Sequence, residues 1–157
     1  MPDAKTRQTL ADLAQEVFDL TTMSSAARSR SKAAMASGQL TETEFLALDA
    51  LAKRSPQTVG EIQKAVGVLP AQMSRIVRSL EDKEGEALVH CEINPDDRRR
   101  INVALTPAGQ RAYEAYRQAR LGFTLEILRE LTPEDREEFM RLLRLMRESI
   151  AKRLAVR

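Results

Sequence analysis

The chain is poor in the residues that disulfide and metal sites require. Its 157 residues include one cysteine, one histidine and no tryptophan. A single cysteine excludes an internal disulfide framework and fits a reducing compartment. The sequence also has no run of eighteen apolar residues and no signal-peptide pattern at residues 1–5. We therefore expect a cytoplasmic protein that does not span a membrane.

No group of residues in the sequence suggests catalysis or metal binding. His90 and Cys91 are adjacent in a strand-like run, so their side chains should point to opposite faces and cannot bind one metal ion together. The sequence lacks a glycine-rich phosphate loop and a nucleophile elbow. It therefore predicts no enzyme, no metal site and no cofactor.

Cys91 has two interpretations. It alternates with Val89 and Ile93, which is typical of a strand residue that faces a core, so the first is a small buried hydrophobe. The second is a redox-sensing thiol, which requires exposure and a lowered pKa. The sequence favours the first and leaves the second open.

Charge is balanced along the chain, so any affinity for nucleic acid must be local. The net charge is +2, and residues 70–100 contain six lysines or arginines against seven acids. Bulk attraction to a polyanion is therefore weak. Binding would depend on the arginine clusters at positions 75, 78 and 98–100.

A run of three arginines lies in a polar turn between two alternating segments. Apolar residues occur at 89, 91 and 93 before the turn and at 101, 103 and 105 after it, which is the period-two pattern of β-strands. The turn residues at 94–96 are Asn, Pro and Asp. The segment predicts a β-hairpin whose tip is suited to phosphates or a narrow minor groove. The three residues are Arg98, Arg99 and Arg100.

Two short helical patterns precede this hairpin. Thr58 and Glu61 form a capping box at the start of the first helix, and Gly67 is placed to end it. Thr41 and Glu44 form a second capping box, at the start of a helix further upstream. Pro70 begins the second helix, in which apolar residues recur at 73, 76, 77 and 80. The opposite face has small, hydrogen-bonding or cationic side chains that suit the floor of a major groove. These are Ala71, Gln72, Ser74, Arg75, Arg78 and Ser79.

Two helices joined by a short turn and followed by a basic hairpin are typical of a winged helix-turn-helix. At this point the sequence resembles the MarR family of bacterial transcription regulators, and the resemblance covers nearly the whole chain. Three motifs carry the resemblance. The first is Leu40-Thr41 leading into Glu44-Phe45-Leu46-Ala47-Leu48, and the second is the recognition-helix pattern Ser74-Arg75-Ile76-Val77-Arg78-Ser79-Leu80-Glu81. The third is the wing pattern Asp97-x-Arg99, followed by Leu105-Thr106-Pro107-Ala108-Gly109.

The resemblance implies roles for individual residues of the wing and the recognition helix. Asp97 would pair with Arg99 and stabilise the wing, which leaves Arg98 or Arg100 for DNA. Family members usually have Ser or Thr as the cap of the recognition helix, where this chain has Leu69. Residues 85–87 also add polar residues before the first wing strand. We therefore expect a looser helix start and a displaced wing.

Long amphipathic segments at about 6–38 and 107–155 flank the winged-helix unit at about 40–106. Their apolar stripes, such as the one through Leu142, Leu143 and Met146, are longer than one compact protomer can bury. The resemblance implies a homodimer formed through these terminal helices. The alternative is a monomer whose terminal helices pack on one another. The expected fold is a single domain, 1–157, that is mainly α with a small β-hairpin wing (α+β).

The resemblance also implies a small aromatic or phenolic effector bound between the DNA-reading unit and the dimerisation helices. Phe45, Leu48, Tyr113 and Tyr116 are the candidate pocket residues. The alternative is that the two tyrosines are core or interface residues with no ligand.

The sequence as a whole predicts a sequence-specific, DNA-binding transcriptional regulator. It would be a ligand-responsive repressor that binds a pseudo-palindromic operator in double-stranded DNA as a homodimer. Two alternatives stay open. One is an architectural or weakly specific DNA-binding protein, and the other is a protein-interaction module that has lost DNA binding.

Overall fold

The computed structural model describes residues 4–34 and 40–155. These residues form helices and a small antiparallel sheet, so the predicted fold class, mainly α with a β-hairpin wing, is confirmed. The elements are α1 (Ala4–Ala34), α2 (Glu42–Lys53), β1 (Gln57–Thr58), α3 (Val59–Val66), α4 (Pro70–Glu81), β2 (Val89–Ile93), β3 (Ile101–Leu105), α5 (Pro107–Arg129) and α6 (Pro133–Ala155). The chain divides into two compact units, 1–117 and 118–157.

The sheet has the strand order β1-β3-β2. Strands β2 and β3 form the hairpin that the alternating pattern predicted, and they pair over their full lengths with Cys91 opposite Val103. We call these two strands and their connecting turn, residues 89–105, the wing. The third strand, β1, places Gln57 opposite Val103. The sequence does not predict β1, because two residues are too few to show alternation.

Two helices begin with the capping boxes that the sequence predicted. The Thr41 hydroxyl oxygen accepts the Glu44 N–H (3.2 Å), and the Glu44 carboxylate accepts the Thr41 N–H (2.6 Å). Thr58 and Glu61 repeat this arrangement at the start of α3, at 3.3 and 2.8 Å. Each box satisfies two amides that would otherwise lack partners.

The core lies where α2, α3 and α4 pack on one another and on the sheet. Its fully buried large side chains come from all of these elements, and each contributes roughly 1.5–3 kcal/mol by leaving water. They are Leu48, Leu51, Ile62, Met73, Leu80, Val89 and Val103. Because α4 turns Met73, Ile76, Val77 and Leu80 to this core, its opposite face is left to solvent.

The first turn of α5 is fastened to the segment that precedes β2. The Thr106 hydroxyl donates to the Ala87 carbonyl (2.7 Å), and the Thr106 N–H donates to the Leu88 carbonyl (3.2 Å). A Cβ on Gly109 would lie 2.0 Å from the Leu88 carbonyl oxygen, so only glycine permits this approach. The sequence from Leu105 to Gly109 is therefore a structural joint between the wing and α5.

The terminal helices carry large apolar side chains that are exposed. Helix α1 is described to Ala34, and the predicted continuation to Gly38 lies outside the described residues. On α6 every residue from 133 to 154 is exposed. Its large apolar residues are Phe139, Met140, Leu142, Leu143, Leu145, Met146, Ile150 and Leu154. No helix within 4–34 or 40–155 has an apolar stretch that would cross a membrane.

Candidate nucleic-acid interface

Helix α4 presents a polar face to solvent. All six residues predicted for this face are exposed: Ala71, Gln72, Ser74, Arg75, Arg78 and Ser79. The Ser74 hydroxyl donates to the Pro70 carbonyl (3.1 Å), so it lies flat along the helix. Among the described residues, neither guanidinium of this face is in an ion pair. The face therefore offers two uncompensated cations and one amide beside small side chains.

A buried carboxylate anchors α4 to the first turn of α2. The Glu44 side chain, in a residue only 3% exposed, accepts hydrogen bonds from the Ser79 hydroxyl (2.7 Å) and from Lys83 Nζ (2.9 Å). Burial raises the pKa of the Glu44 carboxyl, but the hydrogen bonds from Thr41, Lys83 and Ser79 outweigh it and hold this pKa below its usual value. The helical spacing places Ser79 on the groove face, but its hydroxyl is already used in the hydrogen bond to Glu44.

Asn94 holds the turn at the tip of the wing. Its side-chain oxygen accepts the N–H groups of Asp96 (2.9 Å) and Asp97 (3.0 Å), and its side-chain amide donates to the Asn102 side-chain oxygen (2.8 Å). The Arg100 N–H donates to the Asp97 carbonyl (2.9 Å) and closes a tight turn. The tip is therefore ordered by its own hydrogen bonds before any ligand binds.

The ion pair of the wing differs from the predicted one. Asp97 Oδ2 lies 3.1 Å from Arg100 Nε, whereas its other oxygen accepts the backbone N–H of Arg99 (3.1 Å). The prediction that the Asp97 carboxylate pairs with the Arg99 guanidinium is wrong. The turn closes so that Arg100, three positions after Asp97, lies back over its carboxylate, and Arg99, two positions after it, does not. Within the described ranges, the guanidinium groups of Arg98 and Arg99 have no carboxylate partner, and all three wing arginines are exposed.

The thiol of Cys91 is not activated. Burial, followed by the nearby Glu81 carboxylate, raises the pKa of Cys91 to about 11. The thiol is therefore protonated at neutral pH, whereas nucleophilic and redox reactions use the thiolate. The interpretation of Cys91 as a small hydrophobe is the one that its surroundings favour, since it packs against the core cluster.

The four candidate effector-pocket residues lie at a closed aromatic cluster. Phe45 stacks on Tyr113 (ring centroids 5.6 Å apart) and on Tyr116 (4.6 Å), and Leu48 is fully buried one turn further along α2. The Tyr113 hydroxyl donates to Asp49 (2.9 Å), and the Tyr116 hydroxyl lies 3.2 Å from a Glu42 carboxylate oxygen. The three rings stack on one another and both tyrosine hydroxyls have polar partners, which is the arrangement expected of residues packed inside a protein.

Comparison with known proteins identifies the winged helix. The model of the MarR family matches residues 40–101. The winged-helix unit of this chain is therefore similar to the MarR family. The predicted resemblance is confirmed, and the MarR-type winged helix is the fold of DNA-binding transcription regulators. A comparison with the curated proteins gives no significant match.

Solved structures extend this likeness of fold beyond the matched segment. A MarR family protein from Bacillus stearothermophilus superposes with a TM-score of 0.79 at 20% identity, over 92% of this chain and 97% of that one. The YusO protein of Bacillus subtilis superposes with a TM-score of 0.70 at 22% identity, over 94% of this chain and 99% of that one. BpsR of Bordetella bronchiseptica superposes with a TM-score of 0.62 at 24% identity, over 83% of this chain and 91% of that one. At these identities the likeness establishes the MarR fold of the chain.

Two residues that order this site were missed by sequence analysis. The sequence indicates Glu44 as part of a capping box, but not that it accepts hydrogen bonds from Ser79 and Lys83, which lie 35 and 39 positions away. It indicates Asn94 as a turn residue, but not its hydrogen bond to Asn102. One signal in the sequence could have indicated the second role of Glu44. The helical period places this acidic residue on the same face as Leu48 and Leu51, which is the face expected to be buried.

Proposed function

We propose that this protein is a sequence-specific, DNA-binding transcription regulator that acts as a repressor. The proposal rests on two surfaces, the exposed face of α4 and the ordered wing tip. Among the described residues, Arg75 and Arg78 on the first and Arg98 and Arg99 on the second have no carboxylate partner. Such an arrangement fits a helix in the major groove and a hairpin in the flanking minor groove.

Different contacts are assigned to the two surfaces. Gln72 matches the edge of adenine and Arg75 or Arg78 the edge of guanine, while Ala71 and Ser74 are small enough to permit close approach. Arg98 and Arg99 would bind phosphates or a narrow minor groove, with Arg100 held by Asp97 to shape the tip. Since the net charge is only +2, these local cations supply the attraction to DNA.

The proposal includes a homodimer on a pseudo-palindromic operator. Its support is the exposed apolar surface of the terminal helices, including Leu13 and Phe18 on α1 and Leu143, Met146 and Ile150 on α6. Large exposed apolar patches mark interaction surfaces, and a second copy buries the same stripes symmetrically. Two winged helices held in this way would read two half-sites one helical turn apart.

We further propose that a small aromatic molecule regulates DNA binding. In BpsR, DNA binding is regulated by 6-hydroxynicotinic acid. In the present chain the cluster of Phe45, Tyr113 and Tyr116 provides aromatic faces and phenol groups for a ligand of this class. A ligand ring would replace one of the existing stacking contacts and so shift α2, which anchors α4 through Glu44.

Tyrosine fluorescence tests the effector site selectively. The chain has no tryptophan and two tyrosines, and both tyrosines lie in this cluster. Titration with hydroxylated aromatic acids should quench this emission at the concentrations that release the operator. Release of DNA with unchanged tyrosine emission would place the effector elsewhere in the protein.

A binding-site selection from random duplexes tests the function and separates it from its two alternatives. A regulator should enrich a short palindrome with half-sites about ten base pairs apart. Retention of DNA without enrichment would support an architectural binder, and no retained DNA would support a protein-interaction module. Repression then requires that a promoter carrying the selected palindrome lose transcription when the protein is added.

A further inference from the structure

We infer that Leu69, at the start of α4, contacts the 5-methyl groups of thymines in the bound DNA and so helps to determine sequence specificity. The inference rests on the proposed DNA-binding function and concerns a residue that none of the contacts above includes. Leu69 is 73% exposed, the most exposed large apolar residue of the winged-helix unit. It lies at the N-cap of the helix, where it makes no side-chain hydrogen bond.

Leucine is a poor choice at this position for folding alone. N-caps favour Ser, Thr, Asp or Asn, whose side chains satisfy an amide of the first turn. The same chain uses Thr41 and Thr58 as the caps of α2 and α3, each in a complete capping box. At Leu69 the helix start is left without a cap while an apolar side chain is placed in water. Residues that break local rules in this way are expected where function uses them.

The backbone around Leu69 is fixed on both sides. Before it, Gly67 ends α3 in the left-handed region (φ +76°), and the Gln63 side-chain amide donates to the Val68 carbonyl (2.8 Å). After it, the Leu69 carbonyl accepts the Met73 N–H (3.0 Å) from the first turn of α4. Leu69 is therefore presented from an ordered turn and does not need to be ordered when a ligand binds.

The surroundings of Leu69 determine what it can contact. Pro70 and Ala71 follow it and are also exposed, so the leading edge of α4 is apolar, whereas Gln72 and Arg75 lie further along. The N-terminal residues of a recognition helix are those that contact base edges. In the major groove the one apolar group on a base edge is the C5-methyl of thymine. An apolar leading edge therefore matches a thymine at the corresponding position of each half-site.

Replacing thymine by deoxyuracil tests this contact, because the exchange removes the methyl group and leaves base pairing intact. Each thymine of the selected operator is exchanged in turn, and the affinity is measured by competition at one salt concentration. At one position per half-site the exchange should weaken binding roughly fourfold, the value for one buried methyl-sized group, and roughly fifteenfold when both half-sites carry it. Exchange at other positions should have less effect.

Protein variants connect the effect to Leu69. With Leu69→Ala or Leu69→Ser, the thymine and deoxyuracil operators should bind equally at the sensitive position. Leu69→Ser should also raise the melting temperature, because serine supplies the missing cap, so its weaker binding is not a failure to fold. Leu46→Ala, at an exposed leucine of α2, is the matched control and should keep the fourfold dependence on the methyl group.

Three results would overturn the inference. Tight, selective binding that is insensitive to deoxyuracil at every position would reject the methyl contact and leave the proposed function intact. A methyl dependence that persists in Leu69→Ser would assign it to another residue. No binding to any duplex would reject the inference together with the proposed function.

Discussion

Asp97 and Arg100 form an ion pair at the wing tip, with 3.1 Å between Oδ2 and Nε. The charge of Arg100 is thereby compensated, whereas Arg98 and Arg99 have no carboxylate partner among the described residues. The three neighbouring arginines should consequently make different contributions to DNA binding.

The salt dependence of binding measures these contributions. Arg98→Ala and Arg99→Ala should each reduce the slope of log affinity against log salt by roughly 1 per lost phosphate contact in each protomer. Arg100→Ala, the matched control, should change the slope less, because it removes a charge that Asp97 already neutralises. Equal slopes for all three variants would contradict this assignment.

Glu44 should stabilise the protein more than its counterpart Glu61 does. Both are the third helical residue of a capping box, but only Glu44 is buried and reaches Ser79 and Lys83. Glu44→Ala should lower the free energy of unfolding by about 3 kcal/mol, because it leaves Lys83 without its partner. Glu61→Ala should lower it less. Denaturant unfolding at pH 7 gives both values, and similar losses would show that the contacts to α4 contribute little.

The lowered pKa of Glu44 fixes how its contribution depends on pH. The pKa of the Glu44 carboxyl is lower in the folded protein than its ordinary value of 4.5. Its ionised form therefore stabilises the folded state fully at pH values above 4.5, and this stabilisation is lost as the pH falls through the lower pKa of the folded protein. Glu44→Gln should therefore lose less stability than the wild type between pH 5 and the acid transition. Parallel acid profiles for the two proteins would mean that Glu44 titrates alike in both states.

Two glycines of α5 should respond in opposite directions to the same substitution. A Cβ at Gly109 would lie 2.0 Å from the Leu88 carbonyl oxygen and 2.8 Å from Leu105 Cδ1, so Gly109→Ala should destabilise the protein by about 1–3 kcal/mol. At Gly122 no atom of the described residues outside the adjoining helix backbone lies within 4 Å of the added carbon. Gly122→Ala should therefore stabilise by roughly 0.5–1 kcal/mol, the gain in helix propensity. Thermal unfolding distinguishes the two signs, and stabilisation by Gly109→Ala would contradict the close approach.

The exposed stripe of α6 gives a test of the dimer. Replacing Leu143 and Met146 together with Glu should produce monomers with much weaker operator binding, since buried like charges would face each other across the two-fold axis. Arg144→Glu combined with Lys152→Glu places two acids on the opposite face by helical periodicity and should leave the dimer intact. Sedimentation measures both, and an unchanged dimer in the first variant would mean that the interface lies elsewhere.

Local signals in the sequence were sufficient to predict most of the elements. The capping boxes at Thr41 and Thr58, the cap at Gly67 and the alternating wing strands depend on residues within a few positions of one another, and the structure contains all of them. Strand β1 was missed because its two residues are held by pairing with β3, a distant partner.

The candidate site was less predictable than the fold because its ordering contacts are geometric or long-range. Exposure of Arg75 and Arg78 followed from the helical period. The choice of Arg100 as the partner of Asp97 depends on how tightly the turn closes, which residue spacing does not specify. The engagement of Ser79 by Glu44 joins two helices and has no local signature.

The specificity ratio of wild type and Arg75→Ala is the most direct test of base reading by α4. It is the affinity for the selected operator divided by that for an unrelated duplex, at one salt concentration. The wild type should prefer its operator by about 10³-fold or more. Arg75→Ala should lose about 1–3 kcal/mol on the operator and little on the unrelated duplex, with relaxed preference at one base pair per half-site. An equal loss on both duplexes would make Arg75 a phosphate contact and would contradict its role in reading sequence.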